Sequence, residues 1–232
     1  MIPSTVKSLG TDCCCSLITR CLKCTKAHNI CGNMVRMINR RTTIGLLGGM
    51  FITISGRKSA AGSYHVIDDF ERAGLVAQNN TNWQFVSDSV MGGVSKGAIT
   101  REKVNGRNAL RMQGFVSLEN NGGFIQAALD VSPNGANFDA SAFTGIEIDV
   151  SGNGERYNLH LRTSDFTRPW QSYRHGFKAG KTWTTVRLPF DSFDAYRTDM
   201  PFNPARLRRI GIVAIGRAFN ADIAIGRIGF YT

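Results

Sequence analysis

The sequence predicts an all-β fold, an antiparallel sandwich or jelly roll, beginning near residue 64 and preceded by a basic leader. Three observations carry this. From Tyr64 onward, short runs alternate apolar and polar residues with period two, as a strand with one buried face requires. Gly and Asn punctuate these runs at short spacing. Helix signals are sparse, the best being one turn near Asp191–Tyr196. About ten short strands with few helices point to a sandwich or jelly roll.

The expected strands run in order over Tyr64–Glu71, Trp83–Val90, Ala98–Val104, Ala109–Leu118, Gly123–Asp130, Gly145–Val150, Tyr157–Thr163, Ser172–Lys178, Trp183–Pro189, Arg209–Arg217 and Asp222–Tyr231. Alternation is clearest where Ile146, Ile148 and Val150 interleave with Glu147 and Asp149, and where Tyr157, Leu159 and Leu161 interleave with Asn158, His160 and Arg162. Gly152–Gly154 reads as a hairpin turn between those two strands, and Arg217–Asp222 as the connection between the last two.

Charge and cysteine separate the 232-residue chain into two parts. Residues 1–63 hold nine Lys/Arg against one acid, Asp12, whereas residues 64–232 hold nineteen against sixteen. The overall +11 is therefore mostly the leader's, which argues against nucleic acid as the partner of the folded part. All six cysteines precede residue 32, so the folded part uses neither a disulfide nor a thiolate nucleophile.

Within the leader, Arg40 and Arg41 precede an apolar stretch from Ile44 to Ile54, followed by Ser59, Ala60 and Ala61. This order reads as a signal over residues 37–61, with a twin-arginine-like pair and a cleavage site. It implies an exported, periplasmic protein in a bacterium. A mitochondrial presequence is the alternative, because the segment is basic and nearly free of acids. The apolar run falls short of the roughly 20 residues of a membrane span. Cys21, Cys24, His28 and Cys31 carry zinc-ligand chemistry at a spacing too tight for a tetrahedral site, so no metal or cofactor is expected.

The folded part offers few catalytic constellations. Gly93–Gly97 satisfies the G-x-S-x-G pattern of a nucleophile elbow around Ser95. That elbow needs a helix after the serine, and a β-branched run follows instead. Ser95 therefore reads as a turn residue, and a hydrolase is the least favoured function. Gly152–Tyr157 fails as a dinucleotide loop because a strand follows. No Asp/Glu pair stands out as a glycosidase couple. Asn158, His160 and Arg162 share one strand face, either a cleft lining for an anionic or hydroxyl-rich ligand or a solvated outer face. Trp83, Trp170, Trp183, Tyr173 and Phe177 could stack on sugars. Trp83 and Trp183 read as core, and Trp170, in a loop, as an exposed contact for sugar or protein.

Four stretches, Trp83–Ser95, Phe115–Phe124, Gly145–Tyr157 and Trp183–Phe193, together resemble the complex I intermediate-associated protein family. The resemblance covers about residues 66–231. It rests most on D-S-V-M-G-G-V-S, with Asp88, Ser89, Met91, Gly92, Gly93 and Ser95, and on L-E-N-N-G-G-F, with Glu119, Asn120, Asn121, Gly122 and Gly123. It implies a galactose-binding-like β-sandwich and a non-catalytic, chaperone-like assembly factor. Its partners would be subunits or intermediates of respiratory NADH:ubiquinone oxidoreductase, and no catalytic residue or cofactor is implied. An exported carbohydrate-binding module, with carbohydrate as partner, is the alternative. Both signature motifs carry a Gly-Gly pair beside residues that bond locally to backbone or tolerate the left-handed region. The two loops are expected side by side at one end of the sandwich, bonded to each other.

Overall fold

Twelve antiparallel strands form two sheets in the computed structural model, which describes residues 64–232. The expectations for the leader, its signal and its Cys/His cluster lie outside the described residues. The strands are β1 (Tyr64–Asp68), β2 (Gln84–Ser87), β3 (Lys96–Val104), β4 (Arg107–Val116), β5 (Phe124–Asp130) and β6 (Gly145–Gly152). There follow β7 (Arg156–Thr163), β8 (Ser172–Lys178), β9 (Thr184–Pro189), β10 (Asp194–Tyr196), β11 (Leu207–Ile215) and β12 (Phe219–Tyr231). The first sheet has the order β3-β4-β12-β6-β9, with β1 also on β12, and the second β10-β8-β7-β11-β5-β2. This is the predicted sandwich.

The period-two pattern sets the core. Ile146, Ile148 and Val150 of β6, Ile223 and Ile225 of β12 and Leu110 and Met112 of β4 face Leu159 and Leu161 of β7, Ile210 and Ile212 of β11 and Ile125 of β5. These side chains are essentially inaccessible to water, each worth about 1.5–3 kcal/mol of burial. The intervening Glu147 and Asp149 are buried too, under Arg187, Arg227 and Thr185. The outer face of β6 is therefore roofed by salt bridges rather than wet, because β12 and β9 flank it on both sides.

Several local expectations are corrected. Gly152–Gly154 is a corner, not a hairpin: β6 belongs to the first sheet and β7 to the second. The β11–β12 connection likewise crosses between sheets and shortens to Gly216–Ala218. A true hairpin lies at Asn105-Gly106, where φ values of 47° and 81° supply the left-handed pair that an Asn-Gly turn needs. The expected helical turn at Asp191–Tyr196 is a 3₁₀ turn over Phe190–Ser192 followed by β10, which pairs with β8. The second strand stops at Ser87, short of Val90. Trp83 precedes it, buried, with its indole N–H donating to Asp68 Oδ2 at 2.8 Å. Trp183 lies just outside β9, half-buried, donating to the Val104 carbonyl.

Candidate functional site

The signature begins where β2 ends. Ser87 caps a 3₁₀ turn over Asp88–Met91, and Gly92, at φ 87°, reverses the chain. The reversal aims the Asp88 side chain inward, where it is fully buried. Its Oδ1 accepts from the Ser95 N–H at 2.9 Å. Its Oδ2 accepts from the Ser95 hydroxyl at 2.5 Å and from the Gly123 and Phe124 N–H groups at 2.6 and 3.3 Å. Ser95 Oγ in turn accepts from the Ser117 N–H at 2.9 Å. The loops are thus side by side and bonded, as expected, but the means differ. Asp88 bonds both to Ser95 within its own loop and across to Gly123 and Phe124 of the second, and Asn120 and Asn121 contribute left-handed backbone at φ 54° and 57°.

This carboxylate explains the glycines. A Cβ on Gly93 would lie 2.3 Å from Asp88 Cγ, and one on Gly122 would lie 2.5 Å from Asp88 Oδ2. Burial by itself pushes the Asp88 carboxyl up. The hydrogen bonds from the Ser95 hydroxyl and the Gly123, Ser95 and Phe124 N–H groups outweigh it and hold the group below the ordinary carboxylate range. Ser95 is 4 % exposed, its hydroxyl donating to a buried carboxylate and its oxygen accepting from the Ser117 amide. It is a strut between two loops.

The outer surface of these loops walls one side of a groove of about 700 Å³ on the outer face of the second sheet. Met91, Asn121, Gly122 and Gly123 line it, together with Val90 and Leu118. Three of the four expected contact residues, His160, Arg162 and Trp170, line it as well. Two residue sets read separately from the sequence therefore meet in one groove. Asn158 points to the same face one register step away, opposite Gly176, and lies outside the groove lining. Ser89 and Glu119 are exposed on the loops but do not line the groove either. Among the expected stacking residues, Tyr173 and Phe177 are core; Trp170, 44 % exposed, is the one on the groove.

Register builds the floor. Arg174, His160, Gly211 and Ala128 form one row across β8, β7, β11 and β5. The Gln126 side chain lies across Gly211, where a Cβ would come within 2.1 Å of its Nε2. Arg162 donates to the Arg168 carbonyl at 3.0 Å and to the Pro169 carbonyl, which fixes the loop that carries Trp170. Arg174 stacks on Tyr196 at 3.3 Å from the ring centroid, and its Nε donates to Ser172 Oγ. Tyr196, Arg174, Arg197 and Arg209 are groove residues that the sequence reading missed. Tyr196 falls in the segment expected to be helical, Arg197 follows it with no pattern of its own, and Arg174 carries its only signal in the alternation of β8.

His160 was open to a solvated or a cleft reading, and the structure decides for the cleft floor. It is 8 % exposed, and its Nε2 is buried without a hydrogen-bonding partner. Burial, reinforced by the charge of Arg174, pushes its pKa down to about 3. A folded-state pKa below the ordinary 6.5 means the unfolded chain takes up the proton first, so stability falls as pH drops from 6.5 toward 3. Between pH 7 and 5 this residue is expected to cost about 2 kcal/mol. Urea unfolding at the two pH values checks it: His160→Gln should lose less stability over that range than the native chain, by about that amount.

Among the described residues, no group of three or more His, Cys, Asp and Glu is placed to hold a metal ion. No helix there is long and apolar enough to cross a membrane.

Similar folds are found among solved structures. A family 11 carbohydrate-binding module from Clostridium thermocellum, from the cellulase Lic26A-Cel5E, superposes with a TM-score of 0.57 at 15 % identity, covering 72 % of this chain and 94 % of the module. The family 11 module from that organism in complex with a β-1,3-1,4-mixed-linked tetrasaccharide gives 0.55 at 17 % identity, covering 74 % and 96 %. A family 30 module of a cellulosomal cellulase from the same organism gives 0.51 at 15 %, covering 71 % and 95 %. At these identities the likeness is one of fold, the galactose-binding-like jelly roll. No curated protein sequence matches the chain. The sequence profile of complex I intermediate-associated protein 30 matches residues 70–225, which includes both signature loops and nearly every strand. The chain belongs to the complex I intermediate-associated protein 30 family.

Proposed function

We propose that the protein is a non-catalytic assembly factor that holds subunits or intermediates of respiratory NADH:ubiquinone oxidoreductase in the groove of its second sheet. One observation carries this reading: the family's signature loops are locked together behind the groove by Asp88 and present Val90, Met91 and Leu118 to solvent along it. These side chains are 72 %, 59 % and 53 % exposed, aliphatic surface suited to protein side chains. Across the groove, Trp170 supplies an aromatic anchor of the kind that dominates protein interfaces.

Affinity capture from native respiratory membranes tests the reading. The expected result is enrichment of complex I subunits on the native protein. Trp170→Ala should recover at least about tenfold less, the scale of a binding hot spot. Its unfolding free energy should stay within about 0.5 kcal/mol of native, because the ring sits on a surface loop outside the hydrophobic core. N-terminal sequencing of the recovered protein tests the processing expected near Ala61.

A second reading rests on a separate observation. Trp170 and Tyr196 both line a groove on a carbohydrate-binding-module fold. Retention on a glycan array that is lost in Trp170→Ala, with no respiratory subunit captured, would favour it.

A further inference from the structure

The two sheets treat their arginines differently. On the strands of the first sheet, all five, Arg101, Arg107, Arg111, Arg187 and Arg227, have carboxylate partners. On the strands of the second sheet, Arg209 of five is paired, with Asp130; Arg156, Arg162, Arg174 and Arg208 have no carboxylate partner among the described residues. Two of those four, Arg162 and Arg174, line the groove, and Arg197 follows β10 beside them. Among the described residues, no carboxylate lies within ion-pairing distance of these three, and no Asp or Glu lines the groove.

Their existing partners leave the charge in place. Arg162 is held by carbonyls, Arg174 by a hydroxyl and a ring, and Arg197 lies 5.4 Å from the Tyr196 ring centroid. Beside Arg174, opposite it on β7, sits His160, more than nine-tenths buried, with Nε2 unpartnered. Arg162 and Arg174 are half-buried cations without counter-ions, which are costly to maintain, and Arg197 is exposed beside them; each guanidinium is shaped to take a carboxylate through paired N–H groups.

Distance fixes the form of the occupant. The apolar rim lies beside β2 and β5, and the cations lie on β7, β8 and beyond β10. The sheet order puts four strand steps between β5 and β10, or about 19 Å at about 4.8 Å per step. An extended chain covers that in about six residues. We infer that the groove recognises an extended, acidic segment of a partner protein. Its carboxylates would meet Arg174, Arg197 and Arg162, and its apolar side chains would meet Val90, Met91 and Leu118. The inference rests on the reading of the groove as a protein-binding surface and specifies the chemistry of the partner.

Fluorescence anisotropy on the full chain tests it, with three labelled probes: a hexapeptide of Leu and Glu, its Gln-for-Glu counterpart, and oligogalacturonate. The expected result is binding of the Glu peptide, weakened at least tenfold between 50 and 500 mM salt, with the Gln peptide at least tenfold weaker at low salt. Arg174→Gln/Arg197→Asn should lose at least tenfold in affinity with an unchanged melting temperature; Asn keeps the left-handed backbone at position 197, where φ is 54°. If that variant fails to fold, the salt series and the Gln peptide on the native protein still decide. Equal binding of both peptides, salt-independent binding, preference for oligogalacturonate, or no binding of any probe overturns the inference. Repeating the membrane capture with the neutralised variant separates the two readings. Respiratory subunits recovered equally by native and variant proteins sink only the acidic-segment inference. Charge-dependent peptide binding without subunit capture sinks only the assembly reading.

Discussion

Replacing Asp88 with alanine is expected to destabilise the domain by about 3–5 kcal/mol, the largest effect of any single polar substitution considered for this fold. The side chain is fully buried and accepts four hydrogen bonds from three residues on two loops. Alanine would leave the N–H groups of Ser95 and Gly123 without their acceptor, at about 1–3 kcal/mol for each donor left unsatisfied, while the Ser95 hydroxyl would turn to the Ser117 carbonyl at 3.2 Å. Asn keeps the shape but turns an N–H₂ toward donors, so Asp88→Asn should recover only part of the loss. Ser95→Ala removes one strut and should cost less, about 1–2 kcal/mol. Urea unfolding of the three variants checks the ranking. Because the carboxyl is held below its ordinary range, its contribution is present above about pH 3.8 and fades as pH falls through the lower folded-state value. A neutral-pH measurement therefore sees all of it.

Gly93→Ala is expected to cost about 2–3 kcal/mol through overpacking. The new methyl would need to occupy space held by the Asp88 carboxyl, 2.3 Å from Cγ and 2.5 Å from Oδ1. Asp88 cannot swing aside without breaking its own bonds. Two controls separate this from a general intolerance of alanine. At Gly106 the obstacle is conformational, φ 81° with open space around it, and the cost should be about 1 kcal/mol. At Gly211 the nearest atoms belong to the end of the Gln126 side chain, which can rotate away, so stability should change little. The ordering Gly93 above Gly106 above Gly211 in unfolding free energy is the result to look for.

The sandwich was legible because its strands alternate strictly: a run such as Ile146, Ile148 and Val150 can bury one face only as a strand. Sheet membership was not legible, since period two says which residues turn inward and nothing about which strand lies alongside. Gly152–Gly154 therefore reads as a hairpin in the sequence and is a corner in the structure. The burial of Glu147 and Asp149 escaped for a related reason: Arg187 and Arg227 reach them from strands 40 and 80 residues away. The paired glycine loops were legible from composition, and even their contact was. Their cause, one buried carboxylate pressing on Gly93 and Gly122, needed three-dimensional placement. In the groove, His160, Arg162 and Trp170 could be named because alternation and loop context marked them. Tyr196 and Arg197 could not, because three residues of edge strand after a 3₁₀ turn carry too short a pattern to tell from a helical turn.

Site-directed photo-crosslinking in native respiratory membranes tests the central claim, that the groove is where the partner is held. A photoreactive residue at Val90, on the rim, is compared with one at Thr184, exposed on β9 of the opposite sheet. Crosslinks from position 90 to complex I subunits, and none from position 184, are the predicted result. Subunits crosslinked from position 184 alone, or from neither position, would contradict it.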